Sequence, residues 1–171
     1  MRHTNEVVGS FVTAGARIHL NAYLDKLQDR AIYTDTDPVI YIQKDDEPSL
    51  IEFGDKLGST TNELQPGEFI DELVSRGPKN YAYRIVNRTG TAKTPKTVFK
   101  VRGINLTYST SQLVNFDVIK DMILNKRHDE VITVHTDRKI KRKRKEGRVQ
   151  ILSEAEDKIY SFVFQEKAIT R

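Results

Sequence analysis

The sequence predicts an α+β chain. Three observations carry that expectation: a helical periodicity over residues 5–28, two short β-branched runs immediately after it, and later strand-like runs interrupted by one more helical segment. In the first segment Val7, Val8, Phe11, Val12, Ile18, Ala22 and Leu27 recur at three- and four-residue steps, as one face of a helix does. Asn5 suits the N-cap, with Glu6 in the first turn. Ala31–Thr34 and Val39–Ile42 have the β-branched and aromatic composition of strands. The polar Asp35-Thr36-Asp37-Pro38 between them makes a turn.

Residues 44–68 contain Pro48, Gly54, Gly58, Pro66 and Gly67, the composition of loop with short elements. Phe69–Val74 and Tyr81–Val86 flank Arg76-Gly77-Pro78-Lys79 and predict a second strand pair, with Thr97–Val101 a further strand. Phe116, Ile119 and Ile123 predict a helix over Asn115–Leu124. Strands are expected at Val131–His135, Arg148–Leu152 and Ile159–Phe164, with the basic run Arg138–Lys145 connecting the first two. No internal repeat is visible.

A length of 171 residues suits one ordinary domain or two small lobes. No apolar run approaches the roughly 18 residues a bilayer span needs, so no membrane partner is expected. Arg2, His3, Asn5 and Glu6 have no apolar region after them, so no signal peptide is expected. The chain has no cysteine, which excludes disulfides and thiolate metal sites and fits an intracellular protein. His3, His19, His128 and His135 show no ligand spacing. Charge is divided unevenly. Residues 1–75 hold 6 lysines and arginines against 14 acids, a net of −8, and residues 76–171 hold 22 against 10, a net of +12. An acidic half suggests cation binding and a basic half suggests polyanion binding.

Asp35 and Asp37 are the candidate catalytic and metal-ligating pair. Residues two apart on a strand face one side, about 6–7 Å apart, and at a hairpin end the second carboxylate reaches past the strand tips. Two hard oxygen donors suit Mg²⁺, which binds through one or two carboxylates and substrate phosphates. An ordinary Asp-rich turn has the same letters. Arg138-Lys139-Ile140-Lys141-Arg142-Lys143-Arg144-Lys145 places seven cations in eight residues. Such a run gives salt-sensitive, sequence-independent affinity for phosphate, serves as a nuclear localisation signal, or is a solvated loop. Without interleaved aromatics it lacks the stacking groups of single-strand binders.

Tyr33-Thr34-Asp35-Thr36-Asp37, flanked by Ile32 and Val39-Ile40-Tyr41, resembles the Tyr-x-Asp-Thr-Asp-Ser palm motif of family B DNA polymerases. Pro78-Lys79-Asn80-Tyr81 resembles the family's Lys-x-Tyr motif at about the expected distance, and Lys100-Val101-Arg102-Gly103 resembles the basic-glycine element after it. The helix from Phe11 through Leu20 is also similar. These matches cover most of residues 7–125. The nearest flavour is the protein-primed branch of viruses, linear organellar plasmids and Maverick/Polinton transposons.

The resemblance implies a partial palm (helix, catalytic hairpin, antiparallel sheet) over residues 1–75, a palm–thumb junction over 76–103 and a basic thumb over 104–171. It implies that Asp37 is a direct metal ligand with Asp35 beside it, in a two-Mg²⁺ site. Tyr33 and Thr36 would lie near the nucleotide and primer terminus, and Lys79 and Tyr81 near the primer or template backbone. Lys100, Arg102, Lys139, Lys141, Arg142, Lys143, Arg144 and Lys145 would grip the duplex. Implied partners are a DNA primer–template and dNTP, with a terminal protein primer in the protein-primed branch, in the nucleus or another DNA-containing compartment.

Two departures qualify the resemblance. Pro38 stands where the family has Ser, which holds Asp37 extended and removes an N–H, putting metal binding in question. The family's second carboxylate motif (Asp-x-x-Ser-Leu-Tyr-Pro type) and its triphosphate-holding Lys-x-x-x-Asn-Ser-x-Tyr-Gly motif do not occur in these residues. The expectation is a DNA-directed DNA polymerase fragment that does not polymerise alone, set against a non-catalytic DNA-binding remnant of a transposon or viral polymerase. A phosphoesterase built on Asp35 and Asp37 lacks a third carboxylate, histidine or nucleophile at recognisable spacing.

Overall fold

The computed structural model describes residues 5–56, 58–88, 95–125, 130–145 and 147–161, with the Lys145 side chain left aside. The chain divides into two compact units, one ending at Gln65 and the other starting at Pro66. Both mix helix with antiparallel sheet, so the architecture is α+β.

The first unit opens with α1 (Glu6–Leu27). The Asn5 side chain accepts from the backbone N–H groups of Val7 and Val8, satisfying two of the donors a helix start leaves over. At the other end Gln28, at φ 47°, returns its N–H to Leu24 O. Leu27 is the one buried residue of α1, and Val7, Val8, Phe11, Val12 and Ile18 stand exposed along it. A 3₁₀ turn (Gln28–Arg30) leads into β1 (Ala31–Thr34), which pairs antiparallel with β2 (Val39–Tyr41). Ile42 N–H donates to Arg30 O at the open end of this hairpin. The segment after it folds around one amide. Gln43 Nε2 donates to the carbonyls of Lys44, Glu47 and Pro48, and its Oε1 accepts from Leu50 N–H. Arg30 and Lys44 both pair with Glu47 there.

The second unit contains the sheet β3 (Glu68–Gly77), β4 (Asn80–Asn87), β5 (Lys96–Lys100), in that order and antiparallel. Two short helices follow, α2 (Tyr108–Leu113) and α3 (Phe116–Leu124). Phe116, Ile119 and Met122 of α3 recur at three-residue steps on one helix face. They join Ala82, Val101, Val114, Val134 and Tyr160 in a single core cluster. Val134 and Tyr160 come from the last element, a ribbon of β6 (Val131–Lys145) and β7 (Arg148–Ser161). Arg84 and Lys120 lie over the Phe116 ring and share Glu72, and Arg84 also pairs with Asp71.

The first seven expected elements form at or within a few residues of their predicted places. Three features differ. Helix α2 has no sequence signal, because Tyr108-Ser-Thr-Ser-Gln-Leu has no apolar period. It forms under a cap in which Thr107 Oγ1 accepts from Thr110 N–H. The basic run is part of strand β6 and does not connect two strands. Strand β7 likewise continues from Arg148 to Ser161, where two strands with a break were expected; Phe164 lies outside the described residues. Polar Ser153–Lys158 can stay extended because its acids face cations across the ribbon. The line expected between residues 75 and 76 runs through β3, so the segments on either side of it share one sheet.

The core location of α3 sets an expectation. Ile119→Ala should cost about 2–5 kcal/mol of second-unit stability, and Ile18→Ala on exposed α1 should stay within about 0.5 kcal/mol. Urea titration followed by amide NMR of each unit separates the two effects.

Candidate nucleic-acid interface

The aspartates sit on the turn joining β1 to β2. Asp35 N–H donates to Pro38 O at 3.2 Å, closing the loop beyond the paired residues Thr34 and Val39. A standard antiparallel pair would return an N–H from residue 38 to Asp35 O, but proline has none. Asp37 N–H takes that place, donating to Asp35 O at 2.7 Å. This three-residue closure puts Thr36 at φ 65°, a region a β-branched residue rarely enters. Strand alternation therefore stops at Asp35, and the parity expected to set both carboxylates on one side does not extend to Asp37. Asp37 is exposed, Asp35 is partly covered, and the Thr36 hydroxyl reaches Asp35 Oδ1 at 3.5 Å. Tyr33, the other expected nucleotide neighbour, is only 9% exposed.

Among the described residues no group of three or more His, Cys, Asp or Glu side chains is placed to hold a metal ion. A magnesium site takes one or two carboxylates together with phosphates and other donors. Alone, Asp35 and Asp37 do not constitute one.

In the second unit, the Lys-x-Tyr segment forms the turn from β3 to β4. Gly77 pairs with Asn80, leaving Pro78 and Lys79 as the central residues. Lys79 has φ 58°, as position i+2 of a type II turn requires, where Gly or Asn is usual. Lys79 is exposed. Tyr81 pairs across the sheet with Lys100, while its ring stacks 6.1 Å from that of Tyr83 and is 6% exposed. That burial leaves little of the ring for a nucleic-acid strand. Lys100 and Arg102 are exposed at the same end of the sheet, just before Gly103 at φ 80°. The ribbon base meets this end too. Lys158 Nζ donates to Gly103 O, and Tyr160 OH donates to Asn80 Oδ1 at 3.3 Å. Burial pushes the Tyr160 phenol up to about 12, partly opposed by the Arg76 charge.

Along the ribbon the basic residues separate into two sets. Lys139 pairs with Glu156, Lys141 lies 3.3 Å from Glu156 and 3.9 Å from Glu154, and Lys143 lies 2.5 Å from Glu154. Hydrogen bonds from Lys139 and Lys143 hold Glu156 and Glu154 below the usual carboxylate range, and the Glu156 bond raises Lys139. Arg142 and Arg144 are exposed and make no ion pair among the described residues. The Lys145 side chain lies outside the described set. In sequence the run is one block, because the carboxylates opposite it lie on the other strand. Their signal was present as Glu154-x-Glu156-x-Lys158, a period-two pattern.

Two outcomes are expected. Thr36→Asn, better suited to positive φ, should relieve part of a cost of about 1–2 kcal/mol. It should slow hydrogen exchange at the Asp35 and Asp37 amides by roughly two- to fivefold, as about 0.5–1 kcal/mol does. His135 Nδ1–H donates to Asp157 Oδ1 across the ribbon, and its Nε2 sits 2.9 Å from Asp137. The Asp157 hydrogen bond, then the charges of Asp157 and Asp137, raise its pKa. Its contribution is therefore complete below the unfolded value near 6.5 and lost as pH rises through the folded value. The thermal stability gap between wild type and His135→Gln should be wider at pH 6 than at pH 8.5.

No family model matches the chain, and neither a curated protein nor a solved structure does, so what it does has to be read from its own residues.

Proposed function

We propose that the chain is the palm-hairpin and thumb portion of a family B DNA polymerase, whose reaction joins a nucleotide to a primer 3′-OH. The observation that carries this reading is the aspartate pair on the tip of a short antiparallel hairpin that directly follows a long helix. The Lys79 turn, with Lys100 and Arg102 at the same sheet end, supports it by supplying cations for phosphate. Exposed Val7, Phe11 and Ile18 along α1 support it as well. An apolar stripe on a helix belongs against another layer, here the remainder of a palm.

Asp35 and Asp37 provide oxygen donors at the reacting phosphates, and Lys79 supplies a cation for backbone phosphate. Magnesium, when bound, supplies charge that stabilises the attacking and leaving oxygens. The further carboxylate strand and triphosphate lysine come from outside these residues. The partners are primer–template DNA and dNTP, with a terminal protein where priming is by protein. A second reading, a DNA-binding remnant without chemistry, is favoured by Pro38 and the strain it transmits to Thr36.

The isolated chain is expected to give no primer extension with Mg²⁺ and four dNTPs; robust extension overturns the claim that it is a portion. Mn²⁺ added with primer–template and dNTP should broaden the amide signals of residues 34–37 and of Val39 ahead of all others, and Asp37→Asn should remove the effect. Broadening that is the same in both proteins eliminates the aspartate role and leaves the binding remnant.

A further inference from the structure

The basic ribbon has two chemically different faces, and a one-residue insertion decides which cations lie on each. From Val131 to Thr136 the register runs Ile132↔Tyr160, Val134↔Lys158, Thr136↔Glu156, so even-numbered residues of β6 share the core-facing side with even-numbered residues of β7. The register then resumes at Lys139↔Glu154. Asp137 and Arg138 together oppose Ala155, which is a β-bulge. Because side chains alternate with period two, one extra residue exchanges the faces of everything beyond it. Past the bulge it is Lys139, Lys141 and Lys143 that share the side of Glu154 and Glu156, and the ion pairs follow. Ile140, Arg142 and Arg144 turn to the opposite side, with Ser153, Ile151 and Val149 across from them.

The lysine side has two carboxylates engaged with four lysines, Lys158 among them. Beyond the bulge the arginine side has no carboxylate among the described residues; Asp157, on this side by parity, lies toward the ribbon base against His135. The guanidinium groups stand beside Ile140 and Ile151, 77% and 73% exposed. A polyanion approaching the lysine side meets lysines already paired with Glu154 and Glu156, while Arg142 and Arg144 have no paired acid among the described residues. We infer that the ribbon grips double-stranded nucleic acid through the Arg142–Arg144 side, while the lysines of the other side are engaged with Glu154 and Glu156. This rests on the nucleic-acid reading above and assigns the contact within it.

Duplex is the occupant that the chemistry favours. Arg142 and Arg144 are about 7 Å apart along the strand, a span of two phosphates on one strand of a helix with one charge per 3.4 Å per strand. A two-stranded β-ribbon fits the major groove of B-form DNA. The stretch from Arg138 to Ser153 carries no aromatic ring, so it has neither the stacking groups of single-strand binders nor the interfacial Trp or Phe of a membrane-surface element.

The test measures binding of the full chain to a 20-base-pair duplex by anisotropy at several salt concentrations. Circular dichroism melts check each variant's fold. Arg142→Gln/Arg144→Gln should weaken binding on the order of ten- to hundredfold and make the log–log salt slope shallower by about 2. Lys141→Gln/Lys143→Gln should weaken it about threefold at most, and Glu154→Gln/Glu156→Gln should strengthen it by releasing the lysines. Equal weakening by the arginine and lysine pairs overturns the face assignment while leaving DNA binding intact. A folded wild-type chain that binds no duplex removes the nucleic-acid reading itself. Arginine-dependent binding to phosphatidylserine–phosphatidylcholine vesicles without duplex binding assigns the face to a membrane and also overturns the proposal.

Discussion

The basic half of the chain depends on how a two-stranded ribbon is fastened at one end. An isolated two-stranded hairpin is marginal in water, and most of the β6–β7 ribbon exposes both faces. Its apolar anchorage is local. Val134 and Tyr160 enter the core formed by α3, Ala82 and Val101, with Ile132 packed beside them. Tyr160 adds a hydrogen bond to Asn80, and Lys158 one to the carbonyl of Gly103. Through these contacts the ribbon base, the Lys79 turn and the Lys100–Arg102 end become one rigid corner. Beyond the bulge, cross-strand charge pairs take over from burial. Exposed pairs of this kind are individually worth little, so the tip is held by its backbone ladder and a network of lysines sharing two glutamates.

Backbone strain gathers at two of the positions singled out from sequence. Among the described residues only Gln28, Thr36 and Lys79 combine a side chain with positive φ. Gln28 ends a helix, an ordinary place for that conformation. Thr36 and Lys79 are different, since each is central in a turn that glycine or asparagine would suit better. Retaining the less comfortable residue is a pattern found at functional sites. At Thr36 the cause is traceable to one atom, the hydrogen Pro38 lacks. The same proline that departs from the polymerase pattern therefore reshapes the turn carrying Asp35 and Asp37.

Much of the fold was legible because its elements announce themselves locally. The helix over Glu6–Leu27, both aspartate-hairpin strands, the sheet strands and α3 all follow apolar periodicity or β-branched runs. What escaped reading depends on partners distant in sequence. Helix α2 lacks an apolar face and exists through the Thr107 cap. Strand β6 continues through the basic run only because Glu154 and Glu156 face it from β7. The bulge at Asp137-Arg138 is invisible in one strand, since it is a mismatch between two. Site residues follow the same division. The turns bearing Asp37 and Lys79 are evident from Pro and Gly, but nothing in the sequence announces that the Tyr81 ring stacks on Tyr83.

Charge composition alone would assign the whole run from Arg138 to Lys145 to one anionic partner. Pairing geometry divides it. A net of +12 over the second half counts every lysine equally, yet those facing Glu154 and Glu156 present a reduced field to an approaching phosphate, because an opposite charge is already in place. Arginine also suits the open side better: its fork can bind a phosphate through two hydrogens, and it is less strongly hydrated than an ammonium group. The bulge thus acts as a selector. By shifting parity once, it sends the residues best adapted to phosphate outward and leaves the more flexible lysines to brace the ribbon from within.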